Sequence, residues 1–346
     1  MNTYTTTIQL DKKYNDILIA MSLSAKALYN SMLFISRQNF FNHENNKKST
    51  TNIKFEKSFT DFKSPDVYKY VKENFQHYHI LPNSISQNTC LSVMQDFRSF
   101  LGLLKLKNQG KYNNKVNIPH YKKKDKLFSL MFSKGNIVKN DNKITLTTPK
   151  SITYFDVFKE KEITLIQNDK ISFILPPYLN NINIKYIEII YSFGNFSANV
   201  VYKKKENFED IKLEENNFLA IDLGINNFAT TLFSDGETLI YNGKGLKSSN
   251  QFFNKIKAKL MSRKDKTNSI KEQNSIQKQL HRISQDRKGF IKTKLATIGK
   301  DIIKKATEKQ VSTIVVGLNK EWKQNCNIGK INNLPHLFFI FINSCL

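Results

Sequence analysis

Asp222 closes the short apolar run FLAID (218–222), which reads as a buried-type strand. Open α/β sheets place ligands at the C-terminal edges of their strands, so a carboxylate there can hold Mg²⁺ for phosphodiester hydrolysis. A two-metal nuclease needs several such groups, because two hard cations about 4 Å apart must share oxygen ligands. One Asp at a strand end is thin evidence, and on spacing alone a turn-capping carboxylate is the simpler reading. Glu321, in NKEWKQ (319–324), could reach the same place if the chain bends; a surface Glu beside Trp322 is the plainer reading. His77 and His79 could pair on a metal, but with no further ligand they read as packing or loop histidines. Cys90, Cys326 and Cys345 are scattered and form no Cys-x-x-Cys, which argues against a disulfide framework and against a zinc site in this sequence.

The second kind of chemistry is charge. The 346 residues carry 54 Lys+Arg against 29 Asp+Glu, a formal net charge of +25. Such an excess repels itself until a polyanion neutralises it, which points to nucleic acid. It concentrates in one stretch: residues 244–309 hold 19 Lys+Arg and 5 Asp+Glu. A solvated helix face mixes its signs more evenly. Lys255, Lys259, Arg263, Lys278, Arg282, Arg287 and Lys288 are the candidates there, with Lys323 beyond it. A smaller cluster, Tyr121, Lys122, Lys123 and Lys124, interleaves an aromatic ring with cations and can track phosphates while stacking a base; a solvated basic loop fits it equally well. No apolar run looks long enough to span a bilayer and no signal peptide opens the sequence, so a membrane is not expected as a partner and a reducing cytoplasm is.

These residues need elements to hold them. TYTTTIQL (3–10) reads as a strand, and residues 14–35 as a helix with Ile17, Met21, Ser24, Leu28, Ser31 and Ile35 on one face. Residues 42–60 read as a loop. A second helix is expected over 83–107, with Pro82 and Ser84 suiting its start and Ile85, Val93, Phe97, Phe100, Leu101 and Leu104 its apolar side. From 116 to 202 the runs KLFSLMF, KITLTT, SITYF and KISFIL, and the pair IEIIYSF and FSANVVYK flanking a Gly194-Asn195 turn, suggest short strands of a small barrel. Residues 206–217 read as an acidic linker. FLAID, FATTLF and ETLIY then give three strands, separated by the turn Ser234-Asp235-Gly236. Residues 251–309 read as helix with the stripe Ile276, Leu280, Ile283, Ile291, Leu295, Ile298 and Ile302, and STIVV (312–316) as a buried parallel strand. Three strands, a helical excursion and a fourth strand fit an RNase H-like α/β order.

Four segments carry a resemblance in the same order. LAIDLGINNFATTLFSDGE (219–237) resembles the first nuclease motif of the TnpB/OrfB family of insertion-sequence proteins, itself similar to the RuvC-type domain of type V CRISPR effectors. NIPHYKKKDKLFSLMF (117–132) resembles the family's barrel segment, QKQLHRISQDRKGFIKTKLATIGKDII (277–303) its long basic helix, and TIVVGLNKEWKQNCNIGKINN (313–333) the stretch around its next nuclease strand. The resemblance implies an α+β multidomain protein. A wedge-like β-barrel domain would take 1–10 and 115–205, with a helical recognition domain inserted at 11–114. A RuvC-like nuclease domain would follow at 218–333. It further implies a guide RNA, a target DNA, Mg²⁺ as cofactor and a bacterial, nucleoid-associated location. Asp222 matches the first catalytic carboxylate and metal ligand.

The resemblance also has departures. Many members place a Glu right after the apolar strand, where this sequence has Gly317. After Asn333 the sequence reads LPHLFFIFINSCL, whereas the family continues with a helix, a four-cysteine zinc ribbon and a third catalytic Asp. The expectation is therefore an incomplete nuclease domain with an aberrant apolar tail at 334–346, and a guide-directed DNA binder that has lost cleavage. An active endonuclease using Asp222 and Glu321, a guide-directed repressor and a non-functional fragment remain alternatives.

Overall fold

The computed structural model describes residues 2–44, 48–55, 66–123, 126–156, 161–166, 170–204, 214–224 and 226–317. Two compact units divide the chain at Glu206 and Asn207.

The first unit opens with β1 (Asn2–Gln9), then α1 (Asn15–His43), α2 (Asp66–Asn74), α3 (Gln76–Ile80) and α4 (Asn83–Asn108). Eight strands follow: β2 (Leu130–Ser133), β3 (Ile137–Asn140), β4 (Lys143–Leu146), β5 (Ser151–Asp156), β6 (Lys161–Ile166), β7 (Ile171–Ile174), β8 (Asn183–Ser192) and β9 (Asn195–Lys204). They pair as β1-β9-β8-β2, β3-β4-β7 and β5-β6. The expected barrel is thus three separate sheets, and no closed hydrogen-bonded barrel is present among the described residues. The physical reason lies in strand length. β2, β3, β4 and β7 have four residues each, too few to carry a ladder from one sheet into the next.

The β8–β9 hairpin differs by one position from the expected turn. Ser192 pairs with Asn195, so Phe193 and Gly194 are the two loop residues. Both have positive φ, 51° and 86°, the backbone that lets a two-residue hairpin follow the strand twist. Glycine takes this cheaply; Phe193 is held there against its preference.

α1 is the scaffold of this unit. Ile17, Met21, Leu28 and Ile35 of the expected face are buried, but so are Leu18, Ala25, Tyr29, Met32 and Leu33 on its other sides. By length and apolar content it could cross a membrane, contrary to the sequence reading. It is instead a core helix that also buries polar groups. Gln38 accepts from the amide of Thr50, Asn39 accepts from the amide of Phe55, and Asn42 donates to the carbonyl of Thr51. These bonds tie residues 49–55 to the helix. α4 packs on α1 and β2 through Ile85, Val93 and Phe97, all at most 1% exposed. Its N-terminus carries no side-chain cap; Ser84 instead donates its amide to Asn136. At its C-terminus Gly110, at φ 72°, lets the amide of Lys111 reach the carbonyl of Leu106. α2 and α3 were not foreseen. They bring Val67, Val71 and Tyr78 into the core.

The second unit begins earlier than the expected linker allows. β10 spans Glu214–Leu223, taking in the last residues of 206–217. β11 (Asn227–Phe233) and β12 (Thr238–Asn242) follow as an antiparallel meander. The helical stretch is then two helices, α5 (Lys244–Lys266) and α6 (Ile270–Glu308). The break is written locally: Ser269 accepts from the amide of Glu272, and Glu272 reaches back to the hydroxyl of Thr267 and to Arg263. β13 (Val311–Val316) runs parallel to β10, giving the sheet order β12-β11-β10-β13.

The stripe of α6 serves two cores. Ile276 and Leu280 pack with Leu260 of α5, while Ile291, Leu295 and Ile302 cover Leu219, Ile221, Ala229 and Phe233 of the sheet. Each such burial contributes about 1.5–3 kcal/mol. β13 has the expected direction but not the expected burial. It is an edge strand, with Ile314 41% and Val315 54% exposed. A continuous apolar run reads as a doubly covered strand, and here the cover on one face is missing among the described residues.

Candidate nuclease centre and nucleic-acid interface

Asp222 stands at the C-terminal end of β10, opposite Thr230 of β11, and is exposed. The chain must turn sharply just beyond it. The amide of Gly224 donates to the carbonyl of Phe228, and a Cβ on Gly224 would meet the carbonyl oxygen of Asn227 at 2.8 Å. Glycine is required there.

Gly317 follows β13 directly and extends its ladder, donating its amide to the carbonyl of Ile221 at 2.9 Å. A Cβ at 317 would lie 3.7 Å from Oδ1 of Asp222. The position where a second carboxylate is expected by resemblance is therefore beside the first, and it is occupied by a residue with no side chain. Glu321 and Lys323 lie outside the described residues. Among those described, no group of three or more His, Cys, Asp and Glu side chains comes together to hold a metal. One exposed carboxylate does not offer the six or more oxygens that a hard divalent ion prefers. The described residues do not fit a two-metal centre.

The histidine pair is structural. His79 bonds the carbonyl of Lys72 at 2.8 Å and meets the ring of Tyr78 edge-on. His77 is half-buried, and that desolvation holds its imidazole below the ordinary histidine range. Cys90 is a core thiol pushed up to about 12 by burial, hence inert.

The segment around Tyr121 is not a loose basic loop. Asn30 of α1 holds Lys122 from both sides, accepting from its amide at 2.9 Å and donating to its carbonyl at 3.2 Å. Arg37 donates to the carbonyl of Pro119 and stacks 5.0 Å from the Tyr121 ring; Lys26 donates to the carbonyl of Lys126. The Lys122 ammonium lies 3.8 Å from Asp96 and 4.3 Å above the ring of Tyr29. Tyr29 in turn donates its hydroxyl to Asp96, and burial followed by that bond raises its pKa far above the usual phenol range. Lys122 is itself exposed and meets Asp96 at the surface. Tyr121, 43% exposed, and Lys123 are also presented to solvent, while Lys124 lies outside the described residues.

On the helical pair, Lys255, Lys259, Lys278, Arg282 and Lys288 are all exposed and make no ion pair among the described residues. Arg263 is engaged with Glu272 at 3.3 Å. Arg287 is half-buried, its Nε without a hydrogen-bond partner among the described residues. Lys271, Lys292 and Lys300, which the sequence reading passed over, are equally exposed. Their common helix face with Lys278 and Arg282 was legible from spacing, whereas the anchors Asn30 and Arg37, some 80–90 residues from their partners, left no sequence signal.

The comparisons with known proteins fall on the same region. Residues 199–323 match the family model OrfB_IS605, described as a probable transposase. Over that segment the chain is similar to the TnpB/OrfB family. One relative, the TnpB-like protein ORF457 of Acidianus two-tailed virus, is 32% identical over 130 residues. That match covers 36% of this chain and 28% of the viral protein, so the chain spans under a third of its curated relative. In fold, the chain is similar to the protein in a cryo-EM structure of a Cas12f1–sgRNA–target DNA complex. The TM-score is 0.59 at 12% identity, over 97% of this chain and 71% of that one. At that identity the likeness concerns architecture alone.

Proposed function

We propose that this chain is a TnpB/OrfB-type RNA-guided DNA-binding protein whose described nuclease centre does not support cleavage. The observation that carries the binding half is the set of exposed cations along α5 and α6 that no acid neutralises among the described residues. They give the +25 excess a place to meet phosphates. The fold it shares with a protein captured on guide RNA and target DNA supports the choice of partners. Three antiparallel strands with a fourth parallel to the first, reached through a helical excursion, support an RNase H-like, RuvC-type reading of the second unit. The sheets of the first unit would then correspond to the wedge-like domain and α1–α4 to the recognition domain.

Gly317 beside Asp222 supports the second half. Phosphodiester hydrolysis by two metals needs shared oxygen ligands around both ions, and the adjacent position supplies none. Mg²⁺ would be the family's ion.

The test is direct. The full chain purified from cells should carry RNA, and its affinity should fall with log salt at a slope of about −4 if some six phosphates of a single strand are neutralised. Plasmid DNA should survive in Mg²⁺ with a matched guide. Guide-dependent cleavage abolished by Asp222→Ala would overturn the second half and make Glu321 the next ligand to examine. Salt-insensitive binding would overturn the first.

A further inference from the structure

We infer that Asp96 is a built-in rival to phosphate at the Lys122 ammonium. It holds that cation until a nucleic-acid phosphate displaces it, and so sets how readily the segment around Tyr121 engages a polyanion. This rests on the nucleic-acid-binding reading above and adds to it a residue that works against binding.

Lys122 is fixed at its backbone and loose at its tip. Asn30 brackets its peptide groups, accepting from the amide at 2.9 Å and donating to the carbonyl at 3.2 Å. The ammonium lies 4.3 Å from the centre of the Tyr29 ring and 3.8 Å from Oδ2 of Asp96. The second distance is beyond hydrogen-bonding range, which ends at about 3.2 Å for a nitrogen donor. The ammonium makes no hydrogen bond among the described residues. Its N–H groups are therefore aimed but unfilled. The side chain is 41% exposed, so a phosphate can reach it without movement of the segment.

Asp96 differs from Lys122 in having a partner of its own. The same oxygen, Oδ2, accepts the hydroxyl of Tyr29, a residue only 1% exposed. Burial, and then that bond, keeps the Tyr29 hydroxyl protonated and a donor. When Lys122 turns to a phosphate, Asp96 keeps Tyr29, and its remaining lone pairs face water, the side chain being 45% exposed. Exchange strands no buried charge, so this carboxylate is a replaceable partner. A lone surface carboxylate holds a half-exposed cation weakly. A single phosphate and Asp96 thus compete on similar terms. Tyr121 and Lys123, on either side of Lys122 in the sequence, are both exposed. A strand that also meets these two gains the further contacts at high effective concentration and wins the exchange. The pair therefore selects chains of phosphates over isolated ones.

Asp96→Asn removes the charge and keeps an acceptor for Tyr29, whereas Asp96→Glu keeps the charge. Both would be made in the full chain, with Lys122→Gln and the double variant of Asp96→Asn and Lys122→Gln. Asp96→Ser replaces Asp96→Asn should the latter fail to fold. Fluorescence anisotropy would follow each on a single-stranded RNA and on a DNA duplex of about 16 nucleotides or base pairs. The expected result is binding about two- to fivefold tighter for Asp96→Asn, near the wild type for Asp96→Glu, and weaker for Lys122→Gln. The gain should vanish in the double variant. At matched ionic strength, inorganic phosphate should compete more strongly against Asp96→Asn than against the wild type. Whichever probe shows the gain identifies the source of the phosphate. An equal gain in the Lys122→Gln background would mean that Asp96 merely repels the strand from a distance. Weaker binding by Asp96→Asn would mean that the carboxylate positions Lys122 for its ligand. Either result, or no change at all, would overturn the inference while leaving nucleic-acid binding intact. A wild type that binds neither probe would instead overturn the underlying reading, and this inference with it.

Discussion

Oδ1 of Asp222 faces the α-carbon of Gly317 across the β10–β13 ladder, so closely that a Cβ there would sit 3.7 Å away. A carboxylate installed at 317 would therefore share the space in front of Asp222 with no rearrangement of backbone. Gly317→Glu is expected to raise affinity for Mn²⁺ by about tenfold or more, because a second hard oxygen donor is added beside the first. Isothermal titration would measure it, and Asp222→Ala in the same background should remove the gain. Without metal the two charges repel by about 1 kcal/mol in a water-like dielectric, so the variant's Tm should drop slightly and recover on adding the ion. An unchanged affinity would mean that the two side chains do not converge.

The strap from Pro119 to Lys126 offers a second test. Asn30→Ala removes both hydrogen bonds to Lys122, worth about 1 kcal/mol each. The expected outcome is a stability loss of about 1–2 kcal/mol and faster proteolysis after Lys122 or Lys123. If the cleavage rate there stays at the wild-type value, the strap is held by something other than α1.

Acid should loosen the second unit. Hydrogen bonds hold three carboxyls below their ordinary range: from Lys309 and then the Glu237 amide to Asp235, from Tyr241 and then Lys305 to Asp301, and from Thr267 and then Arg263 to Glu272. A carboxyl with a lower pKa folded than unfolded binds fewer protons when folded. Its contribution is complete above the unfolded value, about 4, and is lost as pH falls through the folded one. Lys309, raised by Asp235 and Glu237, behaves oppositely and is lost only above its unfolded value near 10.5. Lys309→Met should flatten the decline of Tm below about pH 4. An acid limb of equal steepness in wild type and variant would show that these contacts do not set it.

The apolar run at 334–346, outside the described residues, gives the fourth test. LFFIFI has no charge, proline or glycine, the composition of an aggregation-prone segment. Deleting 334–346 is expected to raise solubility and leave Tm unchanged. A lower Tm with more dye binding would show instead that the run covers the exposed sheet residues Phe218, Leu232, Ile240 and Val315.

What the sequence revealed follows from range. Period placed β10, β11, β12 and α4, and Asp222 at a strand end, because each depends on residues within a few positions. The Ser269–Glu272 capping box was also local and could have split the long helix. The burial of β13 could not be read, since it depends on what lies over the sheet. The sheet pairing of the first unit could not be read for the same reason: alternation shows that a strand has two faces, not which sheet it joins. Gly317 beside Asp222 could be guessed only by resemblance, because the two are brought together by parallel pairing of Ile221 with Val316, 95 residues on. The anchoring of Lys122 could not be read, because Asn30, Asp96 and Tyr29 are distant from it in sequence.

One feature of α6 has a mechanical side. The helix runs unbroken from the packing against α5 to the packing under the sheet, and only Lys309 and Gln310 separate it from β13. Lys309 is pinned to Asp235 and Glu237, and Gln310, at φ 53°, turns the chain back into the strand. The helix therefore joins the α5 packing to the sheet without a hinge along its length, and the one sharp change of direction falls at Gln310, immediately before the strand that carries Gly317 to Asp222.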